Sequence, residues 1–298
     1  MTKKSRFSSA QISLAVLIFA LAIARLVYGL ISENGLRETA ALFIGLPALL
    51  AIMLTLSPNG KSPTGMIIKG IMIAMFMSGI LLQEGFVCIL MASPLFLGVG
   101  LVIGVMSESL SNHLKANIIF LIPFLFLSLE GTAEWLSFNR EQVVVIEQIV
   151  PLNETIIAAT LAETPTFERP LPSFLQLGFP RPNQTSGEGL AIGDQRLIHF
   201  SNGQEEMGQL HLTVSQSNSN HVQFQAIHDS TPIAEWLTWQ TTDIMWQAID
   251  AKQTKVNLTI TSERRLAPAF YFAPLEKYGV AQAGHYLLDS WFATEAEN

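Results

Sequence analysis

The side chains able to do chemistry are few and scattered. Six histidines occur in 298 residues, and none stands beside an acid or nucleophile at metal-site or triad spacing. The single cysteine, Cys88, lies in an apolar run, so an intrachain disulfide and a cysteine-based metal site are both excluded. Phosphate-binding loops, HExxH and GxSxG are absent, so no cofactor and no metal is expected. Asn153, Asn183 and Asn257 open Asn-x-Ser/Thr triplets, which matter only where the source glycosylates. What remains is a set suited to holding a ligand: Trp239, Trp246, Tyr271, Tyr278 and His285, with Arg196 as a polar contact. Each also has a plainer reading. The tryptophans fit a core or a membrane interface. Arg196 fits a salt bridge to one of many carboxylates, and His285 fits a core position with one ring nitrogen satisfied. An acid/base role for His285 or a tyrosine is the enzymatic alternative.

These residues need elements to position them, and the stretch 253–292 is the most informative. Val256, Leu258 and Ile260 alternate with polar residues, the period of a half-buried strand. Pro268 and Pro274 then predict a break across Leu266–Pro274. Beyond it, Tyr278, Ala281, His285, Leu288 and Phe292 form an apolar stripe on one long helix. Further back, Glu141–Val150 is strand-like by its β-branched content. Pro151 stops it, and Asn153 caps a short helix, Glu154–Glu163. Thr164–Pro182 carries five prolines with Phe167, Phe174, Leu175 and Phe179, an irregular lid or a membrane-dipping loop. Strands follow at Gln195–Phe200, Met207–Gln216, His221–His228 and Trp236–Asp250, with turns at Ser201–Gly203 and Ser217–Asn220. Runs of strands with helices at the ends predict an α+β domain with an antiparallel sheet.

This order resembles the START-like (SRPBCC) superfamily, the helix-grip fold, and in particular its polyketide cyclase/dehydrase-type members. The resemblance rests on the strand ending at Val150-Pro151 with its short helix, on Gly187-Glu-Gly189 and Gly193-Asp-Gln-Arg196, and on Arg264-Arg-Leu-Ala-Pro268 before the last helix. It covers about residues 140–294 and implies a curved antiparallel sheet gripping a long C-terminal helix around an apolar cavity. A lipid or other hydrophobic small molecule is the implied ligand, with cyclase or hydrolase activity in some relatives.

The first part of the chain is different. Residues 1–131 carry eight Lys/Arg against five Glu, whereas 132–298 carry nine against nineteen Asp/Glu. An acidic second half is a poor partner for nucleic acid. Five membrane-spanning helices are expected, at about Ala10–Ile31, Ala40–Leu56, Gly65–Leu82, Phe86–Met106 and Leu114–Leu129. A signal peptide is the competing reading of the first, but the run is long and lacks a small-x-small cleavage site. Arg25, Lys69 and Glu84 lie near span ends, where snorkelling is expected. A cytoplasmic N-terminus places Lys3, Lys4, Arg6, Lys61, Lys69 and Lys115 on the inner side. Five spans then put the domain at 140–298 outside the cytoplasm. The expectation is a multi-pass membrane protein whose α+β domain binds a lipid. The alternatives are an enzyme using the same cavity, or an adaptor with a filled core that docks a protein through the Phe167–Phe179 loop.

Overall fold

The computed structural model describes residues 7–31, 44–82, 86–109, 129–130, 138–202 and 205–296. Contacts divide the chain into two compact units, Met1–Phe126 and Leu127–Asn298.

The first unit contains α1 (Ser9–Ile31), α2 (Leu46–Leu56), α3 (Pro63–Leu82) and α4 (Phe86–Ser109). Within α1, α3 and α4, the segments Ser9–Val27, Pro63–Ile80 and Cys88–Glu108 are long and apolar enough to cross a membrane. Helix α2, with 11 residues, rises only about 16 Å, short of the ~30 Å hydrocarbon layer. Among the described residues there are thus three such helices, not the five expected. The start of the expected second span lies outside the described residues. So does the fifth apart from Leu129, along with Glu84, Lys115 and Trp135. The C-terminal carbonyls of α2 are satisfied from two other helices. Gln11 Nε2 donates to Thr55 O and Ser57 O, both at 3.0 Å. Lys69 Nζ donates to Ser57 O at 2.8 Å and to Asn59 Oδ1 at 3.2 Å. Lys69 therefore caps a helix end, where cationic donors are favoured. Helices α3 and α4 approach closely at Gly104, where a Cβ would stand 2.7 Å from Thr64 Cα, as small residues allow in apolar bundles.

The second unit is a seven-stranded sheet with two helices. Its strands are β1 (Glu141–Val150), β2 (Arg181–Ser186), β3 (Gln195–Asn202), β4 (Glu205–Asn218), β5 (His221–Asp229), β6 (Leu237–Ala248) and β7 (Thr254–Arg264). They pair antiparallel in the order β1-β7-β6-β5-β4-β3-β2. Helix α5 (Glu154–Ala162) follows β1, and α6 (Ala269–Ala296) ends the chain. Asn153 Oδ1 accepts from Thr155 N at 3.0 Å, the expected N-cap. Irregularities interrupt the register at Pro182/Gln184, His199/Ser201, His211/Leu212, Val214/Gln216 and Trp239/Thr241. Bulges of this kind bend strands and strengthen their twist, and the sheet curls.

Strand β2 begins at Arg181, inside the stretch Thr164–Pro182 that the sequence marks as irregular. Pro182 cannot donate to a ladder, which argues against an interior strand; β2 is an edge strand, where proline is tolerated. The start of the last helix also departs from expectation. Helix α6 begins at Ala269 and contains Pro274, so no break extends to that proline. Pro274 is the sixth residue of the helix and forfeits a single bond there, to the Phe270 carbonyl.

The buried stripe of α6 differs too. Phe272, Glu276, Val280, Gly284, Leu288 and Phe292 recur every four residues and are all buried. Tyr278 and His285 are exposed, so the expected stripe is correct only at its C-terminal end, Leu288 and Phe292. The reason is compositional: the true stripe contains a carboxylate and a glycine, which an apolar count passes over. Gly284 is required by proximity, since a Cβ there would meet Ile146 Cδ1 at 2.2 Å.

Candidate ligand site

The alternation of β7 assigns the faces. Thr254, Val256, Leu258, Ile260, Ser262 and Arg264 are all buried beneath α6, and the residues between them are half-buried. Register carries this inner face across the sheet. Ile146 and Ile244 stand opposite Leu258, Trp246 opposite Val256, Trp239 opposite Ser262 and Leu237 opposite Arg264. Around α5 the concave face is closed, with Val150, Leu152, Ile157, Leu161, Trp246, Leu288, Trp291 and Phe292 forming one core. Towards the start of α6 the inner face loosens. Trp239, Leu212 and Val144 pack against that core but remain only partly buried.

A proline-rich segment, 164–180, covers this end. Phe174 meets Tyr278 edge-on at 5.1 Å and Phe179 at 5.3 Å, and Phe179 meets Trp236 edge-on at 5.2 Å. Phe167 stacks on Tyr286 at 5.9 Å, and the Tyr286 hydroxyl donates to Arg169 O at 3.0 Å. Arg181 Nη2 donates to the carbonyls of Phe167, Glu168 and Arg169. The aromatic side chains of this loop are thus spent on the domain itself, as in a lid.

The residues singled out from sequence separate into three groups. Trp239 and Trp246 share the inner face of β6, half-buried and buried respectively. The indole N–H of Trp246 has no hydrogen-bond partner among the described residues. Tyr271 is half-buried in the first turns of α6, edge-on to Phe272 at 5.0 Å, and burial raises its hydroxyl pKa above the ordinary value. Tyr278 is exposed but carries the lid through Phe174, and His285 is exposed at the flank of the buried stripe, next to Gly284. Arg196 is 3% exposed and is engaged by backbone. Its guanidinium donates to the carbonyls of Leu161 (3.0 Å), Ala162 (2.7 Å), Gly189 (3.1 Å) and Gly187. It therefore closes the C-terminus of α5 and the glycine turn, in place of the expected carboxylate partner. Desolvation lowers its pKa, opposed by Asp194 and Glu188.

A polar cluster under the first turns of α6 was not anticipated from sequence. Arg264, 3% exposed, pairs with Glu130 Oε1 at 2.9 Å and also donates to the Leu266 carbonyl. Glu130 Oε2 accepts from Ala269 N at 2.7 Å, capping α6. Glu276, 7% exposed, accepts from Gln142 Nε2 at 3.1 Å through Oε2. Burial pushes the Glu276 carboxyl up to about 7, against the pull of Arg264, the Leu266 amide and Gln142. The available signal in the sequence was a glutamate four residues from Phe272 and Val280.

Among the described residues no group of three or more His, Cys, Asp or Glu could hold a metal ion. The curled antiparallel sheet and long C-terminal helix fit the helix-grip class. No protein-family model matches the sequence, and no curated protein does. Among solved structures the chain is similar to the Zhui aromatase/cyclase from Streptomyces sp. R1128. Identity there is 13% over 50% of this chain and 93% of that one, with TM-score 0.34. It is also similar to a START superfamily protein from Mycobacterium smegmatis, at 10% identity over 51% and 95% of the two chains, TM-score 0.36. A norcoclaurine synthase point mutant from Thalictrum flavum, in complex with a transition-state analogue, matches at 11% identity over 51% and 97%, TM-score 0.32.

Proposed function

We propose that the chain is a membrane-anchored, START-like protein whose second unit holds a lipid or other hydrophobic small molecule between the sheet and α6. The observation that carries this reading is the half-buried Trp239 on the concave face, beside a lid of mutually packed aromatics. Trp239, Trp246 and Tyr271 are the proposed apolar contacts, with Tyr278 acting through the lid. Burying one methylene of an acyl chain contributes about 0.8 kcal/mol, so such a surface holds a long chain without a charged anchor. The Phe167–Phe179 aromatics pack on their own domain, which leaves less of that loop's apolar surface for the adaptor reading. The enzymatic reading through His285 meets an exposed side chain. The test is native mass spectrometry of the full chain released from detergent, with extraction of the bound molecule. A hydrophobic adduct that falls at least tenfold in occupancy in Trp239→Ala supports the proposal. An adduct-free protein overturns it.

A further inference from the structure

The sheet comes apart along one line. The ladder between β5 and β6 ends where Gln225 pairs with Thr241, yet β5 runs on to Asp229 and β6 starts back at Leu237. Beyond that pair each strand keeps a neighbour on its far side only. Ala226, His228 and Asp229 stand opposite Leu212, His211 and Leu210 of β4. Leu237, Thr238 and Trp239 stand opposite Arg264, Glu263 and Ser262 of β7. Both strands are irregular at this level: Ile227 is the extra residue of β5 against β4, and Gln240 that of β6 against β7. Bulges end pairing and re-aim side chains, and here one stands on each side of the split. The linker from β5 to β6 bounds the far end. Its Ile233 packs on the core, and its Trp236 meets the lid residue Phe179.

The two banks of this split differ in chemistry. On the β6 bank the half-buried Trp239 supplies an apolar face. On the β5 bank Asp229 stands opposite Leu210, which shares the inner face with Leu212 and Val214. Asp229 Oδ1 accepts from Thr231 N at 2.8 Å, whereas Oδ2 is shielded from solvent with no hydrogen-bond partner among the described residues. Thr231 is 4% exposed, and its hydroxyl has no partner there either. No Lys, Arg or His among the described residues forms an ion pair with Asp229. A carboxylate only accepts, and its strongest bonds come from charged donors. An ammonium brings three donors, enough for Asp229 Oδ2, Thr231 Oγ1 and a carbonyl on the unpaired side of either strand. A hydroxyl brings one. We propose that the split between β5 and β6 receives the polar end of the ligand, that this end is a protonated amine held by Asp229 and Thr231, and that the apolar body lies along Trp239. The ligand class is then an amphipathic amine. This assignment rests on the ligand reading above and narrows it.

The experiment uses the full chain in phosphatidylcholine nanodiscs and two fluorescent probes that differ at one end. Dansylcadaverine ends in a primary amine, and N-pentyl dansylamide carries hydrogen in place of that amine. Titrations at neutral pH, with the signal of protein-free nanodiscs subtracted, give a dissociation constant for each. The parent should bind the amine at least about tenfold more tightly, the margin of a charge-assisted hydrogen bond. Asp229→Asn keeps an acceptor for Thr231 N and should bring the two probes to within about threefold of each other. Thr231→Val leaves the carboxyl in place and should shrink the margin by about threefold. Trp239→Ala should weaken both probes. A parent that binds N-pentyl dansylamide with no preference for the amine overturns the amine site and leaves the ligand reading standing. So does a full margin kept by a folded Asp229→Asn protein, or by Thr231→Val. A parent that binds neither probe overturns both readings.

Discussion

At the scale of single residues, two buried charges do opposite things. Arg196 stabilises by donating to carbonyls at the end of α5 and in the glycine turn, among them Ala162, which also accepts from Gly189 N at 2.8 Å. Replacing it with alanine removes these bonds and takes the side-chain donor from the carbonyl of buried Leu161, so a loss of about 1–3 kcal/mol is expected. Lysine should not rescue it, since one ammonium cannot fan out to four carbonyls. Urea unfolding of the full chain in detergent checks both. Glu276 is the reverse case. Its folded-state pKa of about 7 lies above the ordinary 4.5, so the folded protein binds the proton more tightly than the unfolded chain. That contribution to stability is complete below about pH 4.5, declines as pH rises, and is gone above about 7. At pH 8, Glu276→Gln should therefore be more stable than the parent by up to about 3 kcal/mol. The gap should close on acidification towards pH 4.5, as read by thermal unfolding across that range. A constant difference would show that the carboxyl is not held protonated.

At the scale of elements, the decisive contact is α6 on the sheet. Gly284 lets the helix axis come close enough for Ile146, Leu258 and Ile260 to pack on its backbone. Gly284→Val should cost about 1–3 kcal/mol by overpacking. Ile146→Ala in the same chain should return part of the loss, because Ile146 Cδ1 is the atom displaced. Additive losses in a double-mutant cycle would show that the close approach is unimportant. Strand β2 makes a related point about legibility. Arg-Pro-Asn-Gln-Thr-Ser has no alternation to read, and it is a strand because β3 offers it an open edge. By contrast, β7 is legible throughout, since one of its faces is buried and the other half-buried.

At the scale of the whole molecule, three helices long and apolar enough to span a bilayer, among the described residues, precede an acidic α+β unit. The proposed arrangement has the N-terminus in the cytoplasm and the α+β unit on the opposite side, from the lysine and arginine bias at the helix ends. Protease added to intact cells should then degrade the second unit while sparing α1. Protection of the second unit until the cells are lysed would reverse the assignment. The Lys69 contact belongs at this scale as well, because a cation near a span end caps another helix.

The sequence alone determined the division into an apolar and an acidic part, the antiparallel meander and the long closing helix. Those features are written in composition and in periods of two and of three to four residues, which act locally. Only the tertiary structure decided which face of α6 is buried, that Arg196 serves backbone carbonyls, and that Glu130, Arg264, Gln142 and Glu276 share one dry corner. The cluster joins residues up to 146 positions apart, from Glu130 to Glu276. Burial of a charge is settled by partners brought from other strands and helices, and no local pattern of residue types encodes that.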